Sequence, residues 1–77
     1  MKFKKLVHHY KNLVYNQAWY FTGNSDDAAD ITQDVFLKAF QKISGIKETA
    51  KFRGWLFSVT LNRIRDFQRK KRFRSLF

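Results

Sequence analysis

Apolar side chains return every three or four positions along almost the whole chain, and no proline interrupts them. Such a stripe lies on one face of an α-helix, where about 3.6 residues complete a turn. Phe3, Leu6, Val7, Tyr10, Val14, Ala18 and Phe21 trace a first face, with Gln17 as its polar member. Thr22, Gly23 and Asn24 break that pattern, and Asn24 or Ser25 can cap a second helix whose first turn holds Asp26 and Asp27. The stripe resumes from Ala28 through Ile31, Val35, Phe36, Ala39, Phe40 and Ile43, and Gly45 supplies a left-handed stop. Beyond the polar connector 46–50, Phe52, Trp55, Leu56, Val59, Ile64 and Phe67 mark a long third helix. No strand-like alternation persists, so the expected fold is all-α: a compact bundle of three main helices with short connections.

Length sets the scale of the core. A chain of 77 residues makes one domain, 1–77, and buries only about 60% of the surface its unfolded form exposes. With no cysteine the core has no disulfide to lean on, and 14 aromatic residues, nine of them Phe, must supply the packing. No apolar stretch approaches the roughly 20 residues that span a bilayer, and Lys2 to Lys5 lead into no signal-peptide core. The expected location is cytoplasmic. Residues from Arg72 to Phe77 are expected to fray unless a partner orders them.

Charge is distributed unevenly. Residues 1–50 carry seven lysines against five acids, a net +2, whereas residues 51–77 carry nine basic residues against Asp66 alone, a net +8. The C-terminal third therefore faces a polyanion or forms a solvated basic face. The second helix is opposite in sign, with Asp26, Asp27, Asp30 and Asp34 preceding Lys38 and no base among them. Asp26 and Asp27 complement the helix dipole. Asp30 and Asp34, four apart and beside Gln33, share a face whose repulsion a basic protein partner would relieve.

Further along, aromatic and basic residues interleave: Phe52, Arg53, Trp55, then Asn62, Arg63, Arg65 and the cluster Arg69 to Arg72. Unpaired bases stack on aromatic faces while Lys and Arg track phosphates. Phe52 and Trp55 also lie on the apolar stripe, where a core role competes with stacking. The connector from Ser44 to Lys51 has the length of a loop able to enclose one extruded base. Two carboxylates without further ligands do not make a metal centre. His8 and His9 have no carboxylate or nucleophile near them in sequence, and the three glycines are isolated, so neither enzyme chemistry nor a cofactor is expected.

The run from Gly23 to Phe40, GNSDDAADITQDVFLKAF, resembles regions 2.1 to 2.2 of the extracytoplasmic-function sigma factors. Phe52-Arg53-Gly54-Trp55-Leu56-Phe57, then Asn62, Asp66 and a basic cluster, resembles their regions 2.3 and 2.4 in order and spacing. The resemblance covers residues 6–74. It implies that Asp30, Gln33 and Asp34 dock on the clamp helices of the RNA polymerase β′ subunit. It implies that the domain recognises and melts the promoter minus-ten element, pocketing a flipped base of the non-template single strand. Ser44, Lys47, Glu48, Thr49, Lys51, Phe52, Arg53, Trp55, Asn62 and Arg63 would serve that element, and Arg65, Arg69, Lys70 and Arg72 its phosphates. Ala29 stands where the family usually has Glu and Thr60 where Ala is common, neither of which disturbs the resemblance; Ser58 stands where a basic residue is frequent, which would shift phosphate binding towards Arg63 and the Arg69 to Arg72 cluster.

After Phe77 nothing supplies the region-4 module of that family. The implied protein is a fragment of a sigma factor or a separate region-2 subunit, with an anti-sigma factor or a region-4 subunit as further partners. Two other readings compete. A basic helical protein that binds duplex DNA without polymerase accounts for the charge but leaves the acidic helix unused. A cationic amphipathic protein at membrane surfaces sits badly with the acids in mid-chain.

Overall fold

Three helices follow one another: α1 over Phe3–Thr22, α2 over Ser25–Lys42 and α3 over Thr49–Ser75. This computed structural model describes residues 3–42 and 49–76. The protein is all-α, a three-helix bundle without strands among the described residues. Ile43 and the Gly45 stop lie outside the described residues.

The α1–α2 corner is built from local chemistry. Gly23 takes φ 64°, a left-handed conformation that costs a side-chain-bearing residue about 1–2 kcal/mol, and its N–H donates to the Trp19 carbonyl at 2.7 Å. Asn24, one of the two cap candidates, accepts the Asp27 N–H on Oδ1 at 3.0 Å. Asp26 and Asp27 then occupy the positive end of α2.

Leu6, Tyr10, Val14 and Ala18 of α1 meet Ala28, Ile31, Val35, Phe36 and Ala39 of α2. Phe52, Leu56 and Ile64 of α3 complete the core. Ala18, Ala28 and Ala39 have no exposed surface, and their small side chains let the helix axes approach closely. Phe52 is likewise fully buried; its ring lies 5.8 Å from Tyr10 and 6.0 Å from Trp55, tilted against both. The Leu56, Thr60, Ile64 row passes through one hydroxyl, which is also fully buried and donates to the Leu56 carbonyl at 2.8 Å. A buried polar atom satisfied in this way carries little penalty.

Two residues of the predicted apolar stripes turn outward. Phe40 is 64% exposed, because Phe36 and Ala39 already occupy the core side of that turn. Phe21 is 45% exposed at the last turn of α1, where its ring packs edge-on against Tyr20 at 5.2 Å. The C-terminal segment also differs from expectation. Helix α3 continues past Arg72 to Ser75, with Ser75 Oγ donating to the Arg72 carbonyl at 2.8 Å. Its core contacts end at Ile64 and Phe67, so the last two turns rest on the good helix propensity of Lys and Arg. At 1.5 Å per residue, α3 runs about 40 Å and sets the long dimension of 45 Å.

Replacing Phe52 by Ala should cost about 3–5 kcal/mol in urea unfolding, a large part of a small domain's stability. Phe57→Ala, at a side chain 53% exposed, should cost about 1 kcal/mol or less. Equal losses would contradict the central place of Phe52.

Candidate functional site

The outer ridge of α2 changes character along its length. Asp26, Asp30 and Gln33 are exposed and Asp34 is half-buried, so the N-terminal half of the ridge is acidic. One turn later Leu37 is 57% and Phe40 64% exposed. Their spacing from Gln33 and Asp34 continues the same face, a signal that the sequence carries but that is missed when Phe40 is placed on the core stripe and Leu37 is given no role. The ridge thus offers carboxylates followed by two apolar anchors. Aromatic residues, Phe among them, are enriched at protein interfaces, and an exposed Phe beside charged residues has that composition.

Asp34 does not face solvent alone. Arg63 of α3 donates to its Oδ2 from Nε at 2.9 Å and from Nη2 at 2.6 Å. The side chains are 27% exposed for Arg63 and 41% for Asp34. A residue expected on the protein-docking face and one expected on the DNA face are therefore partners across the α2–α3 seam. They share a cleft of about 310 Å³ with the polar residues Lys38, Gln41, Asn62 and Asp66 and the apolar Val35, Leu37 and Val59. Lys38 and Gln41 lie one and two turns beyond Asp34 on α2, and neither stands out in the sequence.

Along α3 the expected nucleic-acid residues separate by depth. Phe52 is fully buried and Trp55 half-buried, so Phe52 can hold the start of α3 without touching a ligand. Lys51 and Arg53 are exposed at that end, with Arg53 opening towards Tyr10 and Leu13 of α1 rather than towards the Asn62 cleft. Asn62, Arg65, Arg69, Lys70 and Arg72 are exposed, and the Arg69 guanidinium donates to Asp66 on the same helix. Gln33 likewise opens away from the cleft, into the α1–α2 groove with Val7 and Phe40. Ser44, Lys47 and Glu48 lie outside the described residues, as does the side chain of Thr49. Among the described residues no three His, Cys, Asp or Glu side chains gather as a metal site, and no helix is long and apolar enough to cross a membrane.

A family model described as Sigma-70 region 2 matches residues 6–74. The chain is 33% identical over 67 residues to the ECF RNA polymerase sigma factor SigE of Mycolicibacterium smegmatis, covering 87% of this chain and 26% of that protein. It is 33% identical over 70 residues to the ECF RNA polymerase sigma factor SigW of Bacillus subtilis, covering 91% of this chain and 37% of that one. The ECF RNA polymerase sigma factor SigL of Mycobacterium tuberculosis is 37% identical over 65 residues, with 83% and 37% covered. The chain thus spans between 26% and 37% of the length of these relatives. No solved structure gives a significant match.

A partly exposed ion pair of this kind contributes about 0.2–1 kcal/mol. A stability cycle of Asp34→Ala, Arg63→Ala and the double variant should return a coupling in that range, shrinking towards zero at about 1 M salt. Strictly additive losses at low salt would mean that the pair does not form in solution.

Proposed function

The chain belongs to the sigma-70 region 2 family, and from that membership we propose that it acts in transcription initiation as the docking and promoter-melting module of a sigma factor. In this reading the outer ridge of α2 binds the clamp helices of the polymerase β′ subunit. Asp30, Gln33 and Asp34 supply polar and charged contacts, and Leu37 and Phe40 bury apolar surface against the partner. The observation that carries the reading is the division of sign between helices: an acidic α2 ridge on a chain of net charge +10, beside an α3 lined with exposed bases. A polyanion alone would be repelled by the first surface, and a basic protein alone by the second.

The minus-ten element is read at the other helix. Asn62 and Arg63 meet bases and phosphates at its upstream edge, and Arg65, Arg69, Lys70 and Arg72 follow the backbone. The 44–51 connector encloses a flipped non-template base, while Phe52, buried in the core, holds the start of α3 in place. The module has no chemical step of its own. Melting follows from binding the single strand better than the duplex, which shifts the equilibrium by that difference in affinity. The minus-thirty-five contact comes from another part of the same polypeptide or from a second subunit, and the site of action is the cytoplasm.

Binding to an isolated β′ clamp-helix fragment tests the docking face. The chain should bind with a Kd of roughly micromolar or tighter, and Asp30→Arg and Asp34→Arg should each abolish binding while the helical circular dichroism signal is kept. Retained binding in both variants would move docking to another face. Arg69→Ala should weaken single-strand binding for every sequence alike and lower the salt slope by about 0.7; a change at one base position alone would refute the phosphate role.

A further inference from the structure

The Asp34–Arg63 pair joins two surfaces that the functional reading keeps apart. Both Arg63 donors converge on one carboxylate oxygen, at 2.9 and 2.6 Å. The two residues are 29 positions apart and belong to different helices. Each remains partly open to solvent, so neither is sealed into the core. A guanidinium whose Nε and Nη2 face a carboxylate presents an approaching phosphate with a neutral pair rather than a cation. Arg69 is compensated differently, by Asp66 three residues earlier on its own helix, a contact within α3 rather than one across the α2–α3 seam.

We propose that Asp34 withholds Arg63 from nucleic acid in the free chain and releases it when a cation of the docking partner takes the carboxylate. The inference rests on the functional reading above, since it needs a docking face on α2 and a strand-binding face on α3. Its physical basis is competition. A carboxylate shared between Arg63 and a basic partner residue holds each less firmly than it holds either alone. Arg63 then regains N–H groups and charge for a phosphate at the mouth of the cleft it shares with Asn62. By linkage the effect is mutual: a strand engaged by Arg63 leaves Asp34 more available to the partner. A surface ion pair is the right strength for this, because a pair worth many powers of ten in equilibrium would never open.

The test is binding of a minus-ten non-template oligonucleotide to the chain as a function of salt, without any partner. Asp34→Asn, nearly isosteric and uncharged, should tighten binding about two- to fivefold and steepen the salt slope by about 0.7, the value of one recovered phosphate contact. Asp26→Asn makes the same charge change on the same helix at an exposed residue; it should leave the slope unaltered. In an Arg63→Gln background Asp34→Asn should lose its excess over Asp26→Asn, and circular dichroism checks that each variant is folded. Equal effects of the two Asp variants, or a steeper slope that survives Arg63→Gln, would overturn the inference while leaving the sigma reading intact. No oligonucleotide binding by the chain or by Asp34→Asn would overturn both. In the positive case, adding the clamp-helix fragment should tighten binding by the original chain by a similar factor, with that gain absent from Arg63→Gln.

Discussion

Phe52 enters the core from the first turn of α3 with no exposed surface, and its ring meets Tyr10 of α1 and Trp55 of its own helix. A chain this short has few alternatives to such a contact: no disulfide is available, and a core of about a dozen side chains must set three helix directions. Aromatic rings bury large areas at small entropic cost and prefer tilted, offset contacts over stacked ones. Fixing Phe52 fixes where α3 begins, and a helix that begins in one place runs in one direction for its whole length. Leu56, Thr60 and Ile64 continue the same buried row, so the orientation is reinforced for three further turns.

That orientation is what brings Arg63 to Asp34. The row 56, 60, 64 faces inward; Arg63, one residue before Ile64, therefore sits at the edge of the buried face, where α3 lines up along α2. A rotation of α3 by one residue, roughly 100°, would carry Arg63 either into the core or out into water. The cleft between α2 and α3 that holds this ion pair is thus a by-product of core packing. The same packing turns Phe40 outward, because Phe36 and Ala39 fill the inner side of α2.

How much of this could be read from residues alone depends on the range of the interaction involved. Helix limits at the α1–α2 corner are local events, settled by Gly23 with its positive φ and by the Asn24 cap, and both are legible as residue types. The core row of α2 is nearly as legible, because 28, 31, 35 and 39 carry the helical period. Phe40 and Phe21 defeat the same method: periodicity counts apolar residues but cannot say how wide a strip the neighbouring helices cover. Asp34 and Arg63 each draw notice as charged residues in suggestive runs, yet their pairing is invisible until α2 and α3 are docked. Residues 73–75 stay helical for a reason that periodicity also misses, since they lie beyond the core cluster in a stretch rich in Lys and Arg, which are good helix formers.

Charge placement follows from the same geometry. Gln68 of α3 donates to the Phe21 carbonyl at 3.3 Å, so the acidic first turn of α2, four residues beyond Phe21 in sequence, lies at the end of the bundle where the basic stretch of α3 begins. Arg74, six residues past Gln68, is carried about 9 Å farther along the helix axis. That is close to the Debye length of about 8 Å at physiological salt, beyond which exposed charges cease to compensate one another. The basic tip of α3 therefore acts as a cationic surface in its own right, while nearer the α1–α2 corner the two signs partly cancel. The projecting end of α3 is therefore the part of the chain that attracts a polyanion most strongly at a distance. At the Asn62 cleft the two signs meet directly, in the ion pair formed by Asp34 and Arg63.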